Sequence, residues 1–318
     1  MAFLRRAALL GLVFAFGCGN DHAVTGEDDG LIDGFDLPPP PDPSLGMRLV
    51  TQPVLGLEPG SNHEMCTWTG IKADHDIDVR VVTGYQKIAG HHIIVFATQI
   101  NMPPGTQREC LDSDMAAWHQ IAAAGAEGEA SEAPGNLVFR IPAGSYLTLQ
   151  HHYINASDAS VDSQSAIDLM FADPSKTYVP AGAIAILNTD LNLAPGPNTM
   201  KIHCELEHDL KAWLTLPHMH NWGTTFNATL THAGTTTKIV DNLPWEADYA
   251  FHPPQTTFDV SAPFMLYQGD AIDVQCDWNN TTTGNLTFGL EMCVFFAQTI
   301  DDQGYGNLDC DNGGWGGF

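Results

Sequence analysis

Residues 210–223 read LKAWLTLPHMHNWG. From Leu210 to Leu216 apolar and polar residues mix as they do in a strand, and the run ends near a turn. Along a strand, side chains at i and i+2 share a face. His218 and His220 therefore project side by side, with Met219 turned away. Two neutral imidazoles on one face can share a zinc, copper, nickel or iron ion, and the pair alone does not choose among them. An isolated H-x-H is as readily two surface histidines. What argues against that here is its company: His91-His92 and His151-His152 upstream, and Glu291-Met292-Cys293 downstream.

Working outward, the chain continues as short strands. Asp76 to Val81 alternates, and His91 to Thr98 is an apolar run behind a histidine pair. Leu137–Ile141, Ser145–Ile154, Ala166–Ala172 and Ala183–Asn188 follow, separated by Gly, Pro, Asn and Asp. The second half adds Met200–Leu206, Lys211–His220, Thr224–Thr231, Thr237–Val240, Ala271–Trp278 and Leu286–Thr299. Short strands at roughly even spacing, with turn residues between them, indicate an all-β chain of β-sandwiches. Pro174 to Pro180 divides the body into similar halves, 47–178 and 179–300, although no sequence repeat has a fixed period. One helix is expected over Ser113–Ala124, where Met115, Ala116, Trp118, Ala122 and Ala123 share a helical face. The Gly-, Asp- and Asn-rich tail, 301–318, should be irregular and pinned by Cys310.

With 12 Lys+Arg against 38 Asp+Glu in 318 residues, the net charge of −26 repels nucleic acid. Residues 1–18 read as an export signal, with Arg5 and Arg6 before the apolar Ala7–Phe16. Ala15-Phe16-Gly17-Cys18 resembles a bacterial lipoprotein cleavage site, with Cys18 as the lipidated residue and Ala15 where leucine is usual. Residues 19–46, acidic and ending in a proline run, should form a disordered tether. The acidic Glu27–Asp36 fits no calcium loop. Export permits disulfides. Seven cysteines less Cys18 leave six, Cys66, Cys110, Cys204, Cys276, Cys293 and Cys310, whose pairing the count alone leaves open. No G-x-S-x-G elbow, P-loop or dinucleotide fingerprint occurs.

The ordered set HHIIVF (91–96), LQHHY (149–153), PHMHNWG (217–223) and EMC (291–293) resembles the copper type II, ascorbate-dependent monooxygenases, the family of peptidylglycine α-hydroxylating and dopamine β-monooxygenases. The resemblance runs from about Leu49 to Cys310. It implies two tandem antiparallel, jelly-roll-like β-sandwich domains, each with a copper site, facing across a cleft. His91, His92 and His152 would hold the electron-transfer copper, and His218, His220 and Met292 the catalytic, oxygen-binding copper. Strand parity supports His152 over His151, because His152 shares a face with Gln150. Adjacent His91 and His92 would point to opposite faces of a regular strand, so the chain must be irregular there. The resemblance also implies the pairs Cys66–Cys110, Cys204–Cys310 and Cys276–Cys293.

Departures bear on substrate. Where the peptide-hydroxylating enzymes grip a carboxylate and a peptide, this chain has Leu216, Val294 and Phe296. A buried carboxylate without a cation is costly. The expectation is an enzyme, a monomer in the bacterial envelope and anchored by lipid, that hydroxylates a C–H bond of a small, apolar, non-peptidylglycine substrate with O2, two coppers and ascorbate or an equivalent reductant. The competing expectations are an envelope copper-binding protein for storage or sensing, without catalysis, and a bare β-sandwich adhesion or carbohydrate-binding module. His63, His75, His119, His203, His208, His232 and His252 fit no ligand pattern.

Overall fold

The computed structural model describes residues 30–111, 114, 118–125, 128, 130–250 and 252–317. The expected signal, Cys18 and the first part of the tether lie outside the described residues. In the first half the strands are β1 (Gly46–Val50), β2 (Val54–Leu57), β3 (Asn62–Lys72), β4 (Ile77–Gln86), β5 (Gly90–Thr98), β6 (Gln107–Glu109), β7 (His119–Gly125), β8 (Ala130–Glu132), β9 (Leu137–Ile141), β10 (Tyr146–Ile154), β11 (Val161–Ser163) and β12 (Ser165–Phe171). In the second they are β13 (Val179–Leu187), β14 (Asn192–Leu193), β15 (Gly196–Glu205), β16 (Leu210–His218), β17 (Gly223–His232), β18 (Thr235–Pro244), β19 (Thr256–Thr257), β20 (Phe264–Leu266), β21 (Ala271–Asn280), β22 (Leu286–Thr287), β23 (Val294–Ile300), β24 (Asn307–Asp311) and β25 (Gly314–Gly317).

The chain is all-β, folded as jelly-roll sandwiches. In the first half, sheet β1-β12-β4-β9 opposes sheet β6-β3-β10-β5-β7. In the second, β13-β23-β16 opposes β15-β21-β17-β18. β21 shows the sequence logic: Ile272, Val274, Cys276 and Trp278 are buried while the residues between them face outward. β10 departs from alternation because both its faces are covered. Leu147 and Leu149 enter the sandwich core, and Trp68, Phe96 and Trp118 form a smaller cluster on the other side of the sheet.

The halves are built alike. The pairings β1·β12, β12·β4, β3·β10, β10·β5, β5·β7 and β2·β11 recur as β13·β23, β23·β16, β15·β21, β21·β17, β17·β18 and β14·β22. One corner recurs atom for atom. Buried Asn155 donates to the carbonyls of Leu57 and Ala159 and accepts from the Ser157 amide and hydroxyl. Buried Asn280 donates to Leu193 and Gly284 and accepts from the Thr282 amide and hydroxyl. The N-x-S sequence at Asn155 is thus a turn device whose amide is fully committed.

The two halves join where β9 and β13 pair in parallel, Leu137 opposite Val179 and Val138 opposite Pro180. Leu137, Trp213 and Leu214 pack along this seam with Val179, Leu216 and Ile300. Asn307 Nδ2 also donates across it to the Gln120 carbonyl at 3.1 Å. The disulfides are Cys66–Cys110, Cys204–Cys310 and Cys276–Cys293, as the resemblance implies. Three disulfides mark a protein of an oxidising, extracytoplasmic compartment. Among the described residues no helix is long and apolar enough to cross a membrane.

Four expectations are corrected. His119–Ala124 is strand β7, not the end of a helix, because Ile121 and Ala122 are buried in the sandwich core and β7 pairs with β5; packing overrides the helical preference of the alanines. The tether is not free from Gly30 onward. Phe35 is 6% exposed, Gln164 bonds the backbone of Gly30 and Ile32, and Arg48 donates to the Pro38 carbonyl. The tail is a hairpin, β24 paired with β25, and β24 runs parallel to β13. Finally, the run Leu286–Thr299 is broken between β22 and β23, where Glu291 turns inward at 0% exposure.

Candidate metal centres

The first cluster sits where β5 leaves the tight turn from β4, in which the Gly90 amide donates to the Lys87 carbonyl. Across the β10–β5 ladder His92 lies opposite His152, whereas Tyr153 lies opposite Gly90, so His91 is the extra residue of a bulge. The irregularity that two adjacent histidines require is therefore present, and His91, His92 and His152 converge. Their ring centroids are 5.0, 5.2 and 5.0 Å apart, and one nitrogen from each lies within 4.8 Å of the others. His151 is turned the other way and bonds the Thr67 hydroxyl at 2.8 Å.

The tautomer of His152 is legible. Its Nε2 is 2.5 Å from Asn62 Oδ1, an atom that can only accept. Nε2 therefore carries the proton, and the lone pair is on Nδ1, which is buried without a partner. An orphaned, buried lone pair on an imidazole that neighbours two others is what a metal ion satisfies. Burial, followed by the charge of His252, lowers His91 to about 4. Burial and the charges of His91 and His220 lower His92 to about 3, against an opposing hydrogen bond with Gln150. Burial and neighbouring histidines lower His152 to about 2. All three are neutral at pH 7, the state that ligates.

The second cluster is at the end of β16. His218 Nε2 and His220 Nε2 are 3.2 Å apart. Nitrogens about 2.0–2.1 Å from one ion at a tetrahedral angle lie about 3.3 Å apart, so the pair is spaced for a shared metal. His220 Nδ1 donates to the Leu290 carbonyl at 3.2 Å, which leaves its Nε2 as the lone pair. Burial, then the charges of His220 and His92, lowers His218 to about 3. Met219 faces away and is fully buried, as parity requires. The β16–β23 ladder ends with His218 opposite Val294. Beyond the ladder, His220 and Met292 are linked through Glu291, whose Oε1 accepts the backbone amides of both. Leu216 and Phe296 are paired on the His218 face, and the Phe296 ring is 6.3 Å from the His218 ring.

Two residues of this centre carry no ligand pattern in the sequence. Glu291 is 0% exposed and accepts from the amides of His220 (2.5 Å), Met292 (3.0 Å) and Trp222 (3.1 Å). Trp245 donates its indole N–H to the His220 carbonyl at 2.9 Å. The signal for Glu291 was an acidic residue beside the candidate thioether in an otherwise apolar run; Trp245 gave none.

Both clusters occupy the same end of their sandwiches but at non-equivalent positions. Superposing the Asn155 and Asn280 corners matches His152 with Asp277 and, through the ladders, Gly90 with Gly223 and His92 with Thr225. Asp277 accepts from Thr199 at 2.6 Å. The two clusters lie within electrostatic reach of each other, with His220 adding to the lowering of His92 and His152 and His92 to that of His218, each behind burial. Of the remaining histidines, His63, His203 and His232 pair with Glu109, Asp273 and Asp270, and His208 stacks on Tyr305.

No protein-family model matches the chain, and no curated protein matches it. Among solved structures it is similar to the major capsid protein P2 of bacteriophage PM2, at 11% identity over 81% of this chain and 99% of that one, with a TM-score of 0.35. It is also similar to PNGase F, a glycosylasparaginase from Flavobacterium meningosepticum, at 10% identity over 81% and 96%, with a TM-score of 0.36. Likeness at this level carries no functional argument.

Proposed function

We propose that the chain is a copper-dependent monooxygenase of the bacterial envelope, acting on a C–H bond of a small, apolar substrate. The observation that carries this reading is the pairing of two unlike candidate sets at one end of tandem sandwiches: three convergent imidazoles, and a close-set imidazole pair whose backbone shares the buried Glu291 carboxylate with that of Met292. Copper, when bound, supplies one-electron redox chemistry and the activation of O2. The chain's part is to keep His91, His92, His152 and His218 neutral by burial. A thioether at Met292 favours the reduced metal over zinc. Leu216, Val294 and Phe296 exclude water and offer no cation to a charged substrate. Ascorbate or an equivalent would be the reductant, and lipid on Cys18 the anchor.

A second reading, copper storage or sensing without catalysis, needs the same ligands but no substrate pocket, and the apolar Leu216, Val294 and Phe296, where the peptide-hydroxylating enzymes grip their substrate, suit it. Copper stoichiometry separates the readings from the outset. The expectation is two coppers in the wild type, one lost selectively in His152→Ala and the other in Met292→Ala, followed by reductant-dependent O2 consumption with apolar substrates. Two tightly held coppers that never consume O2 beyond free copper would favour storage; no stoichiometric copper sinks both.

A further inference from the structure

We propose that Glu291 is the positioning residue of the second centre, the anion that holds the His220 loop and the Met292 backbone so that imidazole and thioether can meet one ion. The inference rests on reading His218, His220 and Met292 as a single ligand set.

Three observations carry it. Glu291 is fully buried, although an unpaired acid is among the costliest groups to bury. Its carboxylate is satisfied by main chain from both ligand-bearing segments: Oε1 takes the amides of His220 and Met292, and Oε2 takes that of Trp222. Bonds from neutral donors to an ionised acceptor are the stronger kind, so one side chain fixes two separated stretches of backbone. The residue before it, Leu290, supplies the carbonyl that sets the His220 tautomer. Residues 290–292 thus give, in order, the tautomer, the scaffold and the thioether.

The charge has a second consequence. Among the described residues no Lys, Arg or His forms an ion pair with Glu291. Two neutral imidazoles and a thioether bring no charge of their own, so a bound cation meets its counter-charge in the loop that builds the site. In Glu291→Gln one oxygen becomes an NH2 group facing an amide donor, which loses at least one bond and the charge together.

The test is copper(I) affinity by chelator competition, with the copper(II) spin-resonance spectrum, on the full chain. His152→Ala runs in parallel to isolate the second centre. Glu291→Gln should keep the first copper and weaken the second by about 10- to 100-fold with an altered spectrum, as loss of groups that orient ligands does. Glu291→Asp, which keeps the charge but shortens the reach, should fall between it and the wild type, and serves as the decisive variant if Glu291→Gln does not fold. A second copper bound with wild-type affinity and spectrum in the folded variant overturns the proposal. A wild type that binds no second copper overturns the ligand reading beneath it.

Discussion

His92 and His152 are direct partners across the β10–β5 ladder, and the register shift beside them, which sets Tyr153 opposite Gly90, brings His91 into their group. The bulge turns two consecutive imidazoles toward one point, which a regular pleat forbids.

The bulge is held by Gly90. A Cβ at this position would come within 2.6 Å of Gln86 Cβ and 2.9 Å of the Lys87 carbonyl. Gly90→Val should therefore displace the turn between β4 and β5 and weaken the first copper about tenfold or more while sparing the second. Metal titration in the Met292→Ala background checks this, and unchanged first-site affinity would show that the bulge is not needed.

At the second centre the counterpart of Gly90 is Gly223. A Cβ there would lie 2.6 Å from both Met219 Cε and Trp245 Cδ1. Gly223→Ala should cost about 1–3 kcal/mol by overpacking. Because Trp245 holds the His220 carbonyl, the second copper should loosen too. Thermal melting and metal titration test the two halves of this expectation separately.

The parity of His218, Met219 and His220, the face shared by His152 and Gln150, and the need for a bulge were all legible from strand period alone. The disulfides were legible only through the resemblance, since six cysteines do not choose their partners. The likeness of the halves leaves no sequence repeat because what they share is hydrogen-bond geometry: Asn155 and Asn280 make the same bonds, while Asp277 stands at the position of His152. Phe35 escaped notice for a related reason. One buried ring and a few backbone bonds tie down a segment whose composition reads as disordered.

Cys276 and Cys293 tie β21 to the residue beside Met292. Replacing both with alanine should cost about 2–4 kcal/mol. It should also lower second-site affinity more than first-site affinity, since only the Met292 segment is released. An equal loss at both sites would mean that the bond stabilises the whole fold without bracing the centre.

His151 isolates the effect of acid. It is fully buried in the first sandwich, bonds Thr67, and leaves its Nδ1 without a partner. Burial, then the charge of His92, lowers it from 6.5 to about 3. The unfolded chain therefore takes up this proton below pH 6.5 while the folded chain refuses it until about pH 3, so stability falls as pH drops through that window. At pH 5 the loss from this one group is about 2 kcal/mol. His91, His92, His152 and His218 act in the same direction in the metal-free protein, and bound metal would mask them. Melting temperature of the metal-free wild type should fall between pH 7 and pH 5. In His151→Leu the fall should be shallower by the His151 share, with the pH 7 value little changed because an orphaned nitrogen is lost along with the Thr67 bond. Parallel curves for the two proteins would place the His151 imidazole in contact with solvent.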